Sequence, residues 1–255
     1  MMTEYSDEYM SKAKSFRSFY FSLRFNKNKI ALISREGQLA RSVDFFSRIG
    51  ELHPLLKNWY RGGNSPEEGL RFNVVEHPAY LREEADSWLD DSETVSARRT
   101  KYVLWNGQVD PLNGALTMLY DAHDMTITMP SIEFEDVGFL LLAIPDAREV
   151  LIGMMRAAVE VWPEIEWGVI APLNYYLDFR IFKDRQTVGW IGYCPHKLTK
   201  EMLPEAEDLI SLPERGTIVV TCPGVMDEKN KEHYERVGDI DTELVELGYL
   251  PMFLS

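Results

Sequence analysis

The chain has 255 residues, 45% hydrophobic and 27% charged, which excludes global disorder; 16 glycines and 13 prolines exclude a low-complexity or collagen-like chain. Lys and Arg number 27 against 41 Asp and Glu, a formal charge of −14, so duplex nucleic acid and anionic membranes are repelled unless a local basic patch intervenes. Two cysteines cannot build a disulfide framework, which fits a reducing compartment.

Met1 to Lys14 is polar and carries Glu4, Asp7 and Glu8. It lacks the basic start and the apolar run of about 7–15 residues that make a secretory signal. The longest apolar stretch, Val137 to Pro145, is far shorter than the roughly 20 residues that span a bilayer. The expectation is a soluble cytoplasmic protein without a membrane partner.

Phe19 to Phe25 (FYFSLRF) is aromatic and partly alternating, as a strand should be. A second short strand is expected at Lys29–Ile33, after a turn at Asn26–Asn28. Gln38–Leu52 places Leu39, Val43, Phe46 and Ile49 on one helical stripe, and His53-Pro54 interrupts it. Leu55 to Tyr60 reads as a short helical turn ending at Gly62-Gly63. Ser65-Pro66-Glu67-Glu68 has the form of a helix start, with Ser as cap, Pro first and Glu third.

Lys101–Asn106, Ala115–Tyr120 and Met125–Met129 read as a meander with a turn at Asn113-Gly114, and Ile132–Ile144 as one or two further strands. Pro145-Asp146 opens a second long helix, with Val150, Met154, Ala157, Ala158 and Val161 on one face, closed by Trp162-Pro163. YYLDFRIF from Tyr175, a turn at Asp184-Arg185 and TVGWIGYC form the clearest hairpin pattern. TIVVTC (Thr217–Cys222) is a strand. Asp227 to Leu247 is the last helix, with Tyr234, Val237, Ile240, Leu244 and Leu247 facing inward and Gly248 as its stop. The fold class is α+β, antiparallel sheets with flanking helices. One domain over residues 1–255 is expected. A faint echo between Leu52-His53-Pro54…Trp59 and Val161-Trp162-Pro163…Trp167 raises two related sub-domains, 15–130 and 131–255.

Charge is unevenly placed. Residues 1–60 carry a net +4 and residues 201–255 a net −9, with a second acidic block at Glu83–Glu93. Solvated helix faces account for this, and so does a docking surface for a basic partner. Within Glu83-Glu84-Ala85-Asp86-Ser87-Trp88-Leu89-Asp90-Asp91 an aromatic side chain is ringed by acid, as in an interface hot spot. The other reading is a helix pinned to the body by Trp88 and Leu89. The candidate partner-binding residues are Glu83, Glu84, Asp86, Trp88, Asp90 and Asp91. Trp105 and Trp190 are expected in the core.

Catalytic signatures are scarce. G-x-G-x-x-G, the P-loop, G-x-S-x-G and H-E-x-x-H are all missing from the sequence, and its five histidines do not pair at metal spacing. No cofactor or metal is therefore expected. Cys194 and Cys222 read as small buried strand residues, although Cys194 with His196 would make a thiol–imidazole pair if both aimed together. Asp121, His123 and Asp124 form one local polar cluster, in which alternation allows a carboxylate-oriented imidazole; a loop after a strand explains the same residue types. Asp227-x-Lys229 superficially matches the end of a nuclease motif, but it sits at a helix start, where Asp is a good cap.

The run LARSVDFFSRIGELHPLLKNWYRGGNSPEEGL, followed by VGWIGYCP, LPEAEDL, GTIVVTC and HYERVGDIDTELVELGYLP, resembles the immunity protein 52 family. The matching positions are Trp59/Gly62/Ser65, Gly189/Trp190/Tyr193/Pro195, Gly216/Thr217/Val219 and Leu247/Gly248/Leu250/Pro251. The pieces cover residues 35–72 and 175–251. The resemblance implies a non-enzymatic α+β inhibitor. It would neutralise a polymorphic or type VI-secreted toxin by direct binding in the cytoplasm, the toxin being a nuclease of restriction-endonuclease-like fold. The matching residues are aromatic, Gly and Pro, which serve fold geometry, so no functional residue carries over. An acidic regulatory module for another basic protein, or a hydrolase built on Asp121, His123 or Cys194, are the competing readings.

Overall fold

The computed structural model describes residues 19–88, 100–120, 130–134, 137–227 and 229–253. Eight strands form one antiparallel sheet: β1 (Phe19–Phe25), β2 (Lys101–Trp105), β3 (Ala115–Leu119), β4 (Ser131–Phe134), β5 (Ile165–Pro172), β6 (Ile191–Cys194), β7 (Asp208–Leu212) and β8 (Gly216–Val220), in the spatial order β2-β3-β4-β1-β5-β6-β8-β7. Among the described residues five α-helices of more than one turn accompany it: α1 (Arg35–Leu52), α2 (Ala79–Ser87), α3 (Gly138–Ala143), α4 (Ala147–Val161) and α5 (Lys231–Glu246). The class is α+β, as its sequence indicates.

β1 lies mid-sheet because it can be buried on both sides. Alternation sends Phe19, Phe21, Leu23 and Phe25 to one face, all of them buried, and Tyr20, Ser22 and Arg24 to the other. Its register sets Phe21 against Phe134 of β4 and Leu23 against Gly168 of β5. Gly168 is required by close approach: a Cβ there would sit 2.7 Å from Leu23 Cδ2 and 3.1 Å from Tyr193 Cβ.

Helices α1 and α4 pack on each other over the Phe21 face. The core between them and the sheet is aromatic. Phe45 lies 5.2 Å from Trp162 and 6.3 Å from Phe134, Phe25 stacks on Tyr120 at 5.6 Å, and Trp59 meets Phe46 and Phe134 at 6.0 and 5.8 Å. Such pairs stabilise by about 0.5–1.5 kcal/mol beyond the burial of their area. One polar insertion in this core is internally bonded: the Ser42 and Tyr120 hydroxyls lie 2.6 Å apart, and Tyr120 donates to the Gln38 carbonyl at 3.1 Å.

Several expectations are corrected. Lys29–Ile33 is not a strand; Asn26 accepts the Lys29 N–H at 3.1 Å and starts a helical turn at Lys27–Ile30, after which Ser34 caps α1. Leu55–Tyr60 is helical only at Pro54–Leu56, and Tyr60 instead bridges Asn73 and Trp105. Of Ile132–Ile144 only the start is strand; GFLLLA closes into α3, since a short apolar run has no period that separates helix from strand. Tyr175–Phe179 is a wide helical turn, and β6 pairs instead with β5, setting Gly168 against Tyr193, and with β8. Six of the last six β5 residues are buried, so the strand shows no alternation. Edge strand β7 is hidden because its apolar residues, Leu209, Ile210 and Leu212, follow no period-two alternation. Trp190 is buried as expected, whereas Trp105 is only half-buried. Met125–Met129 lies outside the described residues.

α5 begins at Lys231, not Asp227, because Asn230 accepts the Glu232 N–H at 3.0 Å. Val237, Ile240 and Leu244 are buried, but Tyr234 is half-buried and Leu247 is 37% exposed. Gly248, at φ 74°, stops the helix: its own N–H bonds the Val245 carbonyl and that of Tyr249 the Leu244 carbonyl. The chain then crosses the second face of the sheet, where Arg24 donates to the Met252 and Phe253 carbonyls, both at 2.9 Å.

Candidate partner-binding site

Helix α2 carries the acid-and-aromatic cluster. It packs beside β2, the edge strand of the sheet. Glu83 pairs with Arg61 at 3.0 Å, and Asp86 pairs with Arg35 of α1. Glu84 accepts the Trp88 indole N–H at 2.9 Å and, from β2, the Val103 N–H at 3.5 Å. That second contact places a carboxylate over an outward-facing strand amide, a way of blocking edge-to-edge pairing. Trp88 remains 44% exposed, with the Lys101 ammonium 4.0 Å from its ring centroid.

The structure thus brings Glu83, Glu84, Asp86 and Trp88 to one helix end; Asp90 and Asp91 lie outside the described residues. Each of the three described carboxylates already engages donors of this chain, so their outward field is reduced. The cations that do this for Asp86 and Glu83, Arg35 and Arg61, come from distant stretches of sequence, and charge counting along the chain does not reveal them.

The thiol–imidazole pair does not form. Cys194 is fully buried, and burial pushes its thiol up to about 12. His196 is exposed and lies flat on Tyr249, centroids 4.0 Å apart. A buried, protonated thiol is not a nucleophile. Burial raises Cys222 as well. Asp121, His123 and Asp124 lie outside the described residues. Among the described residues no three His, Cys, Asp or Glu side chains are grouped to hold a metal.

Two concavities stand out. One, of about 160 Å³, lies on the second face of the sheet between Tyr20, Arg24, Glu133 and Tyr176. It is polar and internally paired: Tyr20 donates to Glu133 at 3.1 Å and Arg24 binds Glu166 at 2.9 Å. The other, of about 490 Å³, is a groove between the segment holding Phe179 and Ile181 and the outward side of α5, at Tyr234, Glu235, Gly238 and Asp239. Phe179 stacks on Tyr234 at 5.9 Å. A Cβ at Gly238 would lie 3.3 Å from Ile181 Cγ2, so glycine keeps the groove floor low. Sequence reading passes over this groove because it places Phe179 and Ile181 in a strand; the helical turn at Tyr175–Phe179 turns them outward.

These features define an α+β protein whose accessible chemistry, among the described residues, is surface charge and shallow clefts. The chain belongs to the immunity protein 52 family, whose model matches residues 33–252, most of its length. Comparison with curated proteins gave no match. Among the described residues no helix is long and apolar enough to cross a membrane.

Proposed function

We propose that this chain is the antidote of a toxin–immunity pair, binding and neutralising its cognate antibacterial toxin in the cytoplasm by direct protein–protein contact. The observation that carries this reading is the family match over residues 33–252. The charge of −14 supports a cationic partner, and a nuclease of restriction-endonuclease-like fold, delivered by a type VI or polymorphic toxin system, is the partner proposed. Opposed fields speed such an encounter, and salt slows it because charges more than about 8–10 Å apart are screened at physiological ionic strength.

The surface from Glu83 to Asp91 is one proposed contact. Trp88 is the member suited to act as an anchor, being large, partly exposed and already paired with a cation. Glu83, Glu84 and Asp86 would hold its helix in place.

The test is co-expression of this chain with the toxin encoded beside it. Growth restored by this chain, and not by an unrelated acidic protein of similar size, is the expected outcome. Continued killing at matched expression would remove the reading.

A further inference from the structure

Large apolar side chains that stay in water are informative when they cluster. Leu177, Phe179 and Ile181 are 55%, 49% and 50% exposed, and all three fall within five residues that turn outward beside α5. Phe179 and Ile181, together with Tyr234, form one wall and part of the floor of the 490 Å³ groove, whose size suits a few anchoring side chains rather than a whole domain.

The opposite rim is acidic. Helical steps of three and four residues align Glu235, Asp239, Glu243 and Glu246 along one ridge of α5. The helix as a whole has six carboxylates against two cations. Lys231 pairs with Glu235 at 2.8 Å, in an exposed contact of the kind that contributes little. Arg236 instead approaches Glu207, at 3.8 Å. The Glu243 carboxyl is pushed up, first by partial burial and then by the like charges of Glu205, Asp239 and Glu246. This ridge therefore repels itself, whereas the carboxylates of α2 are each held by donors of the chain.

An apolar trough beside an acidic ridge that keeps an excess of carboxylates over cations selects one kind of occupant. The geometry points to this groove as the docking site for an amphipathic basic segment of the toxin, with an aliphatic or aromatic anchor between Phe179 and Gly238 and Lys or Arg side chains along Glu235, Asp239 and Glu243. Helix-in-groove recognition of this type takes specificity from the apolar anchors and orientation from the charged rim. The inference rests on the immunity reading and gives it a second, more exposed surface than α2.

The experiment uses full-length protein and the full-length neighbouring toxin, catalytically inactivated, and measures affinity in solution at two salt concentrations. The variants are Phe179→Ser with Ile181→Ser, Asp239→Lys alone, and Glu83→Lys with Trp88→Ala for comparison. Wild type binds; the double groove variant is expected to weaken binding roughly thirtyfold or more, as hot-spot truncations do. Asp239→Lys should weaken it several-fold and flatten its dependence on salt. Thermal melting checks that each variant is folded, and should the apolar double variant unfold, Asp239→Lys decides alone. Groove variants that bind within about twofold of wild type overturn the groove while leaving the immunity reading standing. A wild-type protein that does not bind the toxin removes both.

Discussion

The Asp241 carboxylate of α5 accepts the backbone N–H of Val188 at 2.9 Å, with both residues buried. This bond ties the last helix to the stretch that leads into β6. Burial pushes the Asp241 carboxyl up to about 7 from an ordinary 3.8. The Thr187 hydroxyl, the Val188 N–H and the nearby Arg180 pull it the other way without overcoming the loss of water.

The consequence for stability has a definite sign. Between pH 3.8 and about 7 the folded chain holds a proton on Asp241 that the unfolded chain has released. Asp241 therefore contributes stability below its unfolded value that is lost as pH rises through about 7. In Asp241→Asn the amide oxygen still accepts from Val188 and no charge is buried. The difference in urea midpoint, variant minus wild type, should grow from pH 4 to pH 8. Subtracting wild type cancels carboxylates that titrate the opposite way, such as Glu36, which Arg82 holds low. A difference that stays flat across that range would show the carboxyl titrating normally.

The β7–β8 hairpin depends on Gly216. Its φ is 128°, and a Cβ there would come within 2.2 Å of the Cys194 carbonyl oxygen and 2.7 Å of the Pro195 backbone. Backbone atoms cannot step aside as a side-chain end can. Gly216→Ala should lower stability by about 3 kcal/mol, combining strain at a disfavoured φ with overpacking. Chemical denaturation reads this directly, and a loss under 1 kcal/mol would mean that the strand pair reshapes freely.

Trp162 closes α4 and fills the space between Phe25, Phe45 and Tyr120. Trp162→Ala removes a fully buried indole from a close-packed aromatic cluster and should cost about 3–5 kcal/mol. Trp88→Ala, at a 44% exposed position, should cost far less. Equal losses at the two sites would contradict the packing described.

The legibility of these elements from sequence followed their chemistry. β1, α1 and α4 were readable because alternation and helical stripes reflect one-sided burial, and Ser65 does cap a helical turn through the Glu68 N–H, at 3.2 Å. β5 was missed because a strand covered on both faces has no polar rhythm, and β7 because its apolar residues, Leu209, Ile210 and Leu212, do not alternate with polar ones. Tyr175–Phe179 carries β-prone aromatics, yet tertiary packing turns it into a helical bend and leaves Phe179 and Ile181 outside. The acidic residues of α2 were visible, but their partners were not: Arg35 and Arg61 reach Asp86 and Glu83 only once the chain has folded.

Trp88 offers an optical readout of its own surroundings. Trp59, Trp162, Trp167 and Trp190 are fully buried and Trp105 is half-buried, so an aqueous quencher should reach Trp88 more readily than any other indole described. Acrylamide quenching of the native protein should contain one accessible component, and Trp88→Phe should remove most of it. Lys101→Met should change that component's emission, because the ammonium over the ring is lost, while shifting stability by less than about 1 kcal/mol. If the toxin covers the α2 end, the accessible component disappears on complex formation; if it docks only along α5, the component persists and the quenching of Trp88 is unchanged.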